Sequence, residues 1–242
     1  MSKNAIHGIF LSISILFSMN GATQAEPTGE WERSLTLGFN QARGNSDTLL
    51  HRVAGRAELI EERYEWLYEL EWTYGEADKD KNAEFGRMGV EYKRLIDTRF
   101  FADAMAEISY DAIKKLDYRV IYGPALGYFF LRDEQFRLSV EGGPSHVVQR
   151  QDRLTQDFVA LRLAQDFSWR INKRARLWQG TEYIPRIDDF NRYLLNSEIG
   201  VESAVSAAIS LGVTLQHRYD SHPAEDTKRN DLNLVSTLKY TF

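Results

Sequence analysis

Residues 64–74 read YEWLYELEWTY, and large apolar side chains alternate with polar ones along this stretch. A period of two residues predicts a β-strand with two different faces. Its apolar face carries Tyr64, Trp66, Tyr68, Leu70, Trp72 and Tyr74. A strand of this length crosses a lipid bilayer when it tilts by roughly 45°. One such strand could also lie in a soluble sandwich, so its repetition along the chain decides the fold.

The same alternation recurs through the rest of the sequence, separated by turn residues. It predicts twelve strands near 30–41, 47–60, 63–75, 84–96, 99–111, 118–132, 135–149, 155–170, 174–185, 191–203, 207–219 and 229–242. An even number is what a closed barrel with both termini on one side requires. We therefore expect an all-β fold, a transmembrane antiparallel up-and-down β-barrel of about 12 strands.

The last predicted strand repeats the pattern, with Leu232, Leu234, Leu238, Tyr240 and Phe242 on one face. We expect it to pair with the strand beginning near Trp31 and so to close the barrel. We also expect barrel-insertion machinery to recognise this strand through its aromatic end at Phe242. A soluble periplasmic β-sandwich is the alternative to the barrel.

The predicted connections alternate between two classes. Short ones lie at 61–62, 96–98, 132–134 and 171–173, and longer ones lie at 41–47, 76–83, 112–117, 150–154, 186–190 and 220–228. Short turns on one rim and longer loops on the other are typical of outer-membrane barrels. The run Gly44-Asn45-Ser46-Asp47-Thr48 has the residue types of a tight turn.

The first 25 residues contain Lys3, an apolar run over 9–17 and small residues around Ala25. This pattern predicts a cleaved signal peptide, residues 1–25, followed by one barrel domain, residues 26–242. The expected location is the outer membrane of a Gram-negative bacterium. The chain has no cysteine, and its 30 basic and 35 acidic residues give a net charge of −5, which argues against nucleic acid as a partner.

The polar faces carry charges whose sign changes from strand to strand. The predicted lumen-lining residues are Arg52, Arg56, Glu65, Glu69, Glu71, Arg87, Glu91, Lys93, Asp103, Glu107, Asp111 and Arg119, and the mixture continues through Arg137, Glu141, Arg162, Asp166, Arg174, Arg176, Glu182, Glu198 and Glu202. Opposite charges across a strand pair contribute about 0.2–1 kcal/mol each. Two interpretations stay open: a narrow polar pore and a largely filled, structural interior.

Catalytic patterns are weak. The best candidate cluster, Asp220, His222 and Asp226, lies in the last predicted loop and would form an enzymatic site at the extracellular rim. A lipolytic barrel would need a serine two residues from a lipid-facing histidine, and His217 has Leu215 and Tyr219 there. No spaced metal-ligand motif is present, so we expect a non-enzymatic protein without a metal or cofactor.

Four segments resemble one known family, the salt-induced outer membrane proteins (domain of unknown function 481). They are Leu35-Thr36-Leu37-Gly38 with the Gly44–Thr48 run, 122–128 (YGPALGY), 141–145 (EGGPS) and the ending 238–242 (LKYTF). The resemblance implies an outer-membrane barrel and, through its name, a part in the response to salt or osmotic stress. It implies no catalytic residue. The expected partners are outer-membrane lipid, lipopolysaccharide, and small solutes or ions.

Overall fold

The computed structural model describes residues 29–42 and 48–242, and these form twelve β-strands. The predicted signal peptide and most of the Gly44–Thr48 run lie outside the described residues. The strands are β1 Trp31–Ala42, β2 Thr48–Ile60, β3 Tyr64–Ala77, β4 Asp80–Leu95, β5 Phe100–Asp111, β6 Leu116–Arg132, β7 Phe136–Gln151, β8 Leu154–Arg170, β9 Ala175–Pro185, β10 Tyr193–Ala204, β11 Ile209–Asp220 and β12 Asn230–Thr241.

The strands form a closed barrel in which each one pairs with its neighbours in sequence. Closure comes from antiparallel pairing of β1 with β12, where Ser34 lies opposite Thr241 and Phe39 opposite Ser236. The predicted fold is therefore confirmed, including the number of strands. None of the described residues forms a helix that is long and apolar enough to cross a membrane.

Two connections that the sequence predicts to be longer loops, 76–83 and 150–154, are two-residue turns. Asp78 and Lys79 join β3 to β4, and Asp152 and Arg153 join β7 to β8. All four residues have positive φ, between 48° and 73°, as the tight hairpin turns that match strand twist require. The prediction was wrong there because charged residues continue the paired strands up to the turn, past a register shift between Gly75 and Glu76 in the first hairpin.

At the opposite rim, four hairpin turns are stabilised by the same pattern of side-chain hydrogen bonds. Asp97, Asp133, Asn172 and Ser206 each accept two backbone N–H bonds from the residues two and three positions later. Such side chains replace the missing backbone partners of a turn. The backbone N–H groups of Phe100 and Arg99 also hold the pKa of the Asp97 carboxyl below its ordinary value. These turns form one end of the barrel, which is called the short rim below.

The outward face has aliphatic side chains in the middle and aromatic side chains at both ends. Trp66 lies near the short rim, packed against Tyr68 and Tyr92, whereas Trp72 and Tyr74 stack near the opposite rim. Between them Leu70 is 56% exposed, and Met88, on the next strand, is 59% exposed. An apolar band between two aromatic girdles is the surface of a membrane-spanning barrel.

Candidate functional site

The strand register places all twelve predicted lumen-lining residues on the face opposite the exposed aromatic one. In one row across the sheet, Glu65 lies opposite Lys93, which lies opposite Asp103. In another row, Glu71 lies opposite Arg87. Several of these side chains contact residues on strands that are not their neighbours, which is achievable only across the interior.

Glu71 is the centre of the largest such network. Its carboxylate lies 3.2 Å from Arg52 on β2, 3.4 Å from Arg87 on β4 and 2.8 Å from Arg218 on β11. The contact with Arg218 spans the lumen, and the guanidinium of Arg218 also lies 3.6 Å from the ring centroid of Phe85. The side chain of Glu71 is 2% exposed. A charge-assisted bridge therefore narrows the lumen at this level.

The network continues toward β10 through Arg52, whose guanidinium lies 3.6 Å from the carboxylate of Glu198. Glu198 also accepts hydrogen bonds from Trp178 on β9 and Gln216 on β11. Arg87 reaches Glu107 on β5 at 3.5 Å. Ion pairs thus join the walls from β2 to β5 and link β2 to β10, and hydrogen bonds extend the network to β9 and β11.

Arg218 is absent from the set predicted from sequence, although it bridges the lumen. Its position on β11 alternates in step with Gln216 and Asp220, which are both buried. The signal was present but weak, because β11 mixes His217 and Tyr219 into its outward face and so blurs the alternation. Lys239 lies on the polar face of the last strand, and its ammonium lies 2.8 Å from Glu202 on β10.

One side of the interior is filled by apolar side chains. Ile121, Val147, Ala160 and Ile184 form a cluster inside the barrel, on β6 to β9. Near the short rim Phe101 and Phe129 pack together with their ring centroids 4.7 Å apart, and Arg132 and Arg137 lie over the Phe129 ring. A largely filled interior was one of the two interpretations left open from the sequence, but these apolar residues were not identified as the fill.

The other side remains open to solvent. The charged side chains there are 32–41% exposed although they face the lumen: Arg56, Glu69, Arg87 and Glu198. By contrast, Glu141, Asp103 and Arg162 on the filled side are 9% exposed or less. Solvent therefore reaches the lumen beside these four residues on β2 to β4 and β10, whereas Arg52 and Glu71 on the same strands are buried.

Two Gly-Pro pairs interrupt the ladder between β6 and β7. Gly123-Pro124 lies opposite Gly143-Pro144, and the regular pairing breaks between Tyr122 and Leu126. A Cβ on Gly123 would lie 2.2 Å from the Pro144 carbonyl oxygen, and one on Gly143 would lie 2.0 Å from that of Pro124. Only glycine allows this close approach of the two backbones.

Loop residues contact one another at the end of the barrel opposite the Asp97, Asp133, Asn172 and Ser206 turns, which is called the upper opening below. Lys114, between β5 and β6, lies 2.6 Å from Asp231 on β12. Lys115 donates to the carbonyl oxygen of Glu225 at 2.9 Å, and Arg119 pairs with Asp220 at 3.3 Å. These contacts narrow the opening, and a cleft lined by residues of β6 to β11 lies at this end of the barrel.

This cleft is open to solvent and contains two of the three residues of the predicted rim site. Asp220 and His222 line it, whereas Asp226 is not among its lining residues. Ser221 lies 3.1 Å from Nδ1 of His222, but its oxygen also accepts the backbone N–H of Tyr193. The Asp220 carboxylate is bound to Arg119 and to the backbone N–H of His222. It does not contact the imidazole, so these residues do not form a triad.

Comparison with known protein families gives one match, the family described as "Protein of unknown function, DUF481", over residues 35–242. The chain belongs to this family. A search of curated proteins finds no match. The matched region of this DUF481 chain begins within β1 and ends at Phe242, so it includes all the lumen residues described above.

Solved structures share the fold of the DUF481 chain at very low sequence identity. The NanC porin aligns with a TM-score of 0.55 and 8% identity over 87% of this chain and 98% of its own. The COG4313 outer membrane channel from Pseudomonas putida F1 gives 0.53 and 11% over 90% and 97%. The KdgM porin in complex with disordered oligogalacturonate gives 0.50 and 9% over 86% and 99%. The DUF481 chain therefore has the architecture of outer-membrane β-barrels.

Proposed function

We propose that this protein is a narrow outer-membrane pore for ions and small polar solutes. The observation that carries this proposal is the solvent exposure of Arg56, Glu69, Arg87 and Glu198 inside a closed barrel. Barrels of eight strands are filled and those of about sixteen are open, and this twelve-stranded barrel is filled on one side only. Because both signs of charge line the open side, weak selectivity between anions and cations is expected.

The proposed location is the outer membrane of a Gram-negative envelope, with lipid and lipopolysaccharide around the apolar band. Insertion would use the C-terminal strand that ends at Phe242. The role proposed for the pore is in the response to salt or osmotic stress, which passive movement of small solutes fits. The Asp220 cleft supports an enzymatic alternative less well, since its carboxylate is bound to Arg119.

Conductance measurements test the pore. Purified protein in planar bilayers should give small, stepwise currents that grow with salt concentration. A protein that inserts into the bilayer but passes no current over a wide range of salts is not a pore, and a structural role in the envelope would then replace this proposal.

Replacing Arg218 by Ala should raise the single-channel conductance, because it removes the side chain that spans the lumen to Glu71. Glu71 keeps its contacts with Arg52 and Arg87, so the barrel should still fold. Arg150→Ala is the matched control, since Arg150 pairs with Asp117 at the outer rim with both side chains at least half exposed. Equal conductance in both variants would mean that the current does not pass Glu71.

A further inference from the structure

Three carboxylates from three strands converge inside the barrel. Glu91 on β4, Asp103 on β5 and Glu141 on β7 each offer an oxygen atom, and these oxygens lie within 4.8 Å of one another. Glu141 and Asp103 are buried and Glu91 is partly buried. Carboxylates repel one another at such distances unless cations lie between them.

Asp103 lacks the partners that a buried carboxylate normally has. Its side chain is 0% exposed. Neither of its oxygens has a hydrogen-bond partner among the described residues, and its ion pair with Arg162 is long, at 3.8 Å. Buried polar atoms are nearly always hydrogen-bonded, so an exception of this kind indicates a missing ion or water. Both oxygens of Asp103 are therefore available to a ligand.

The charges around the cluster do not balance. Lys93 and Arg162 are the basic groups in contact with it: Lys93 lies 2.6 Å from Glu91 and 3.0 Å from Glu141, and Arg162 lies 2.6 Å from Glu141. Arg162 is shared with a further carboxylate, that of Glu182, at 2.6 Å. The carboxylate of Asp166 on β8 faces the same cluster of charges around Lys93 and Arg162. Five carboxylates thus share two basic side chains.

We propose that Glu91, Asp103 and Glu141 bind a calcium ion inside the barrel. The available donors are carboxylate oxygens, which hard cations prefer. Each of the three carboxylates brings one oxygen to the site, and water would complete the roughly six to eight ligands that Ca²⁺ takes. The ammonium of Lys93 contacts two of the three carboxylates and so competes with the ion. Calcium would hold β4, β5 and β7 together, and this role does not depend on conduction.

Calorimetric titration with CaCl₂ tests the site on the full protein, purified in detergent and treated with a chelator. One ion per chain should bind, with NaCl titration as the baseline. Asp103→Asn, which keeps the side-chain size, should weaken binding by at least about tenfold, the lower end of what even an outer-shell change costs a metal site. Glu69→Gln is the matched control, because Glu69 faces the lumen but pairs with Arg56 and Arg87 outside the cluster.

Lys93→Gln should have the opposite effect and tighten calcium binding, which a purely structural disturbance would not do. Should Asp103→Asn fail to fold, Glu91→Gln replaces it, because the Glu91 side chain is 19% exposed and easier to change. The proposal is overturned when the wild type binds no calcium at millimolar concentration, when Asp103→Asn or its replacement binds as the wild type does, or when Lys93→Gln weakens binding. A water molecule or proton at Asp103 would then satisfy the buried carboxylate.

Discussion

Replacing Glu71 by Gln lowers the free energy of unfolding by about 3–5 kcal/mol, the usual cost of removing one partner from a buried ion pair. Glu71 faces three guanidinium groups, those of Arg52, Arg87 and Arg218, and its own side chain is almost fully buried. The neutral amide keeps the size but removes the charge that holds these cations together. The measurement is equilibrium unfolding in urea, followed by tryptophan fluorescence in lipid vesicles.

Glu69→Gln is the control for this prediction, because it removes the same charge two residues away on the same strand. The Glu69 side chain is 37% exposed and pairs with Arg56, which is 41% exposed. Such solvent-exposed pairs contribute about 0–1 kcal/mol. Equal, small losses in both variants would mean that water reaches Glu71 and that the Arg218 bridge does not persist in the membrane.

The strand count and the facing of the side chains could be predicted because both depend on local alternation. In β3, apolar residues such as Trp72 alternate regularly with polar residues such as Glu71. A register shift of one residue would therefore exchange the two faces of the strand. Turn lengths were harder to predict. The turn at Asp78 and Lys79 contains no glycine or proline, and its two positive φ values cannot be recognised from these residue types. The tight turns lengthened β3 and β4 beyond the predicted bounds.

The contacts within the lumen could not be predicted from the sequence. Alternation shows that Arg52 and Glu71 face inward, but it does not show which strands approach across the interior. The pairing of Glu71 with Arg218 joins residues 147 positions apart, on strands β3 and β11 that are not neighbours in the sheet. The apolar residues of the interior were not identified for another reason: Phe101 and Val147 lie at inward positions, but only the charged residues at such positions were considered from the sequence.

Leu70→Arg should lower the free energy of unfolding by about 2–4 kcal/mol, the cost of a charged residue at the bilayer midplane on the lipid face. Leu70 lies at the middle of β3, opposite Gly55 on β2 and Met88 on β4. A substitution at Leu70 tests membrane depth better than one at Trp66. Trp66 lies only two residues from the start of the strand, so an arginine there would place its charge at the membrane interface. The same urea titration in lipid vesicles measures the loss.

Leu232→Arg is the matched control for depth. Leu232 also faces outward, but it lies near the start of β12, opposite His217, and is 65% exposed. An arginine there can reach the interface, where the cost falls to about 0–1 kcal/mol. Because the substitution is the same at both positions, the difference between the two losses isolates depth in the bilayer from changes in strand propensity. Equal losses would mean that no lipid surrounds the middle of the barrel, and the pore proposal would lose its premise.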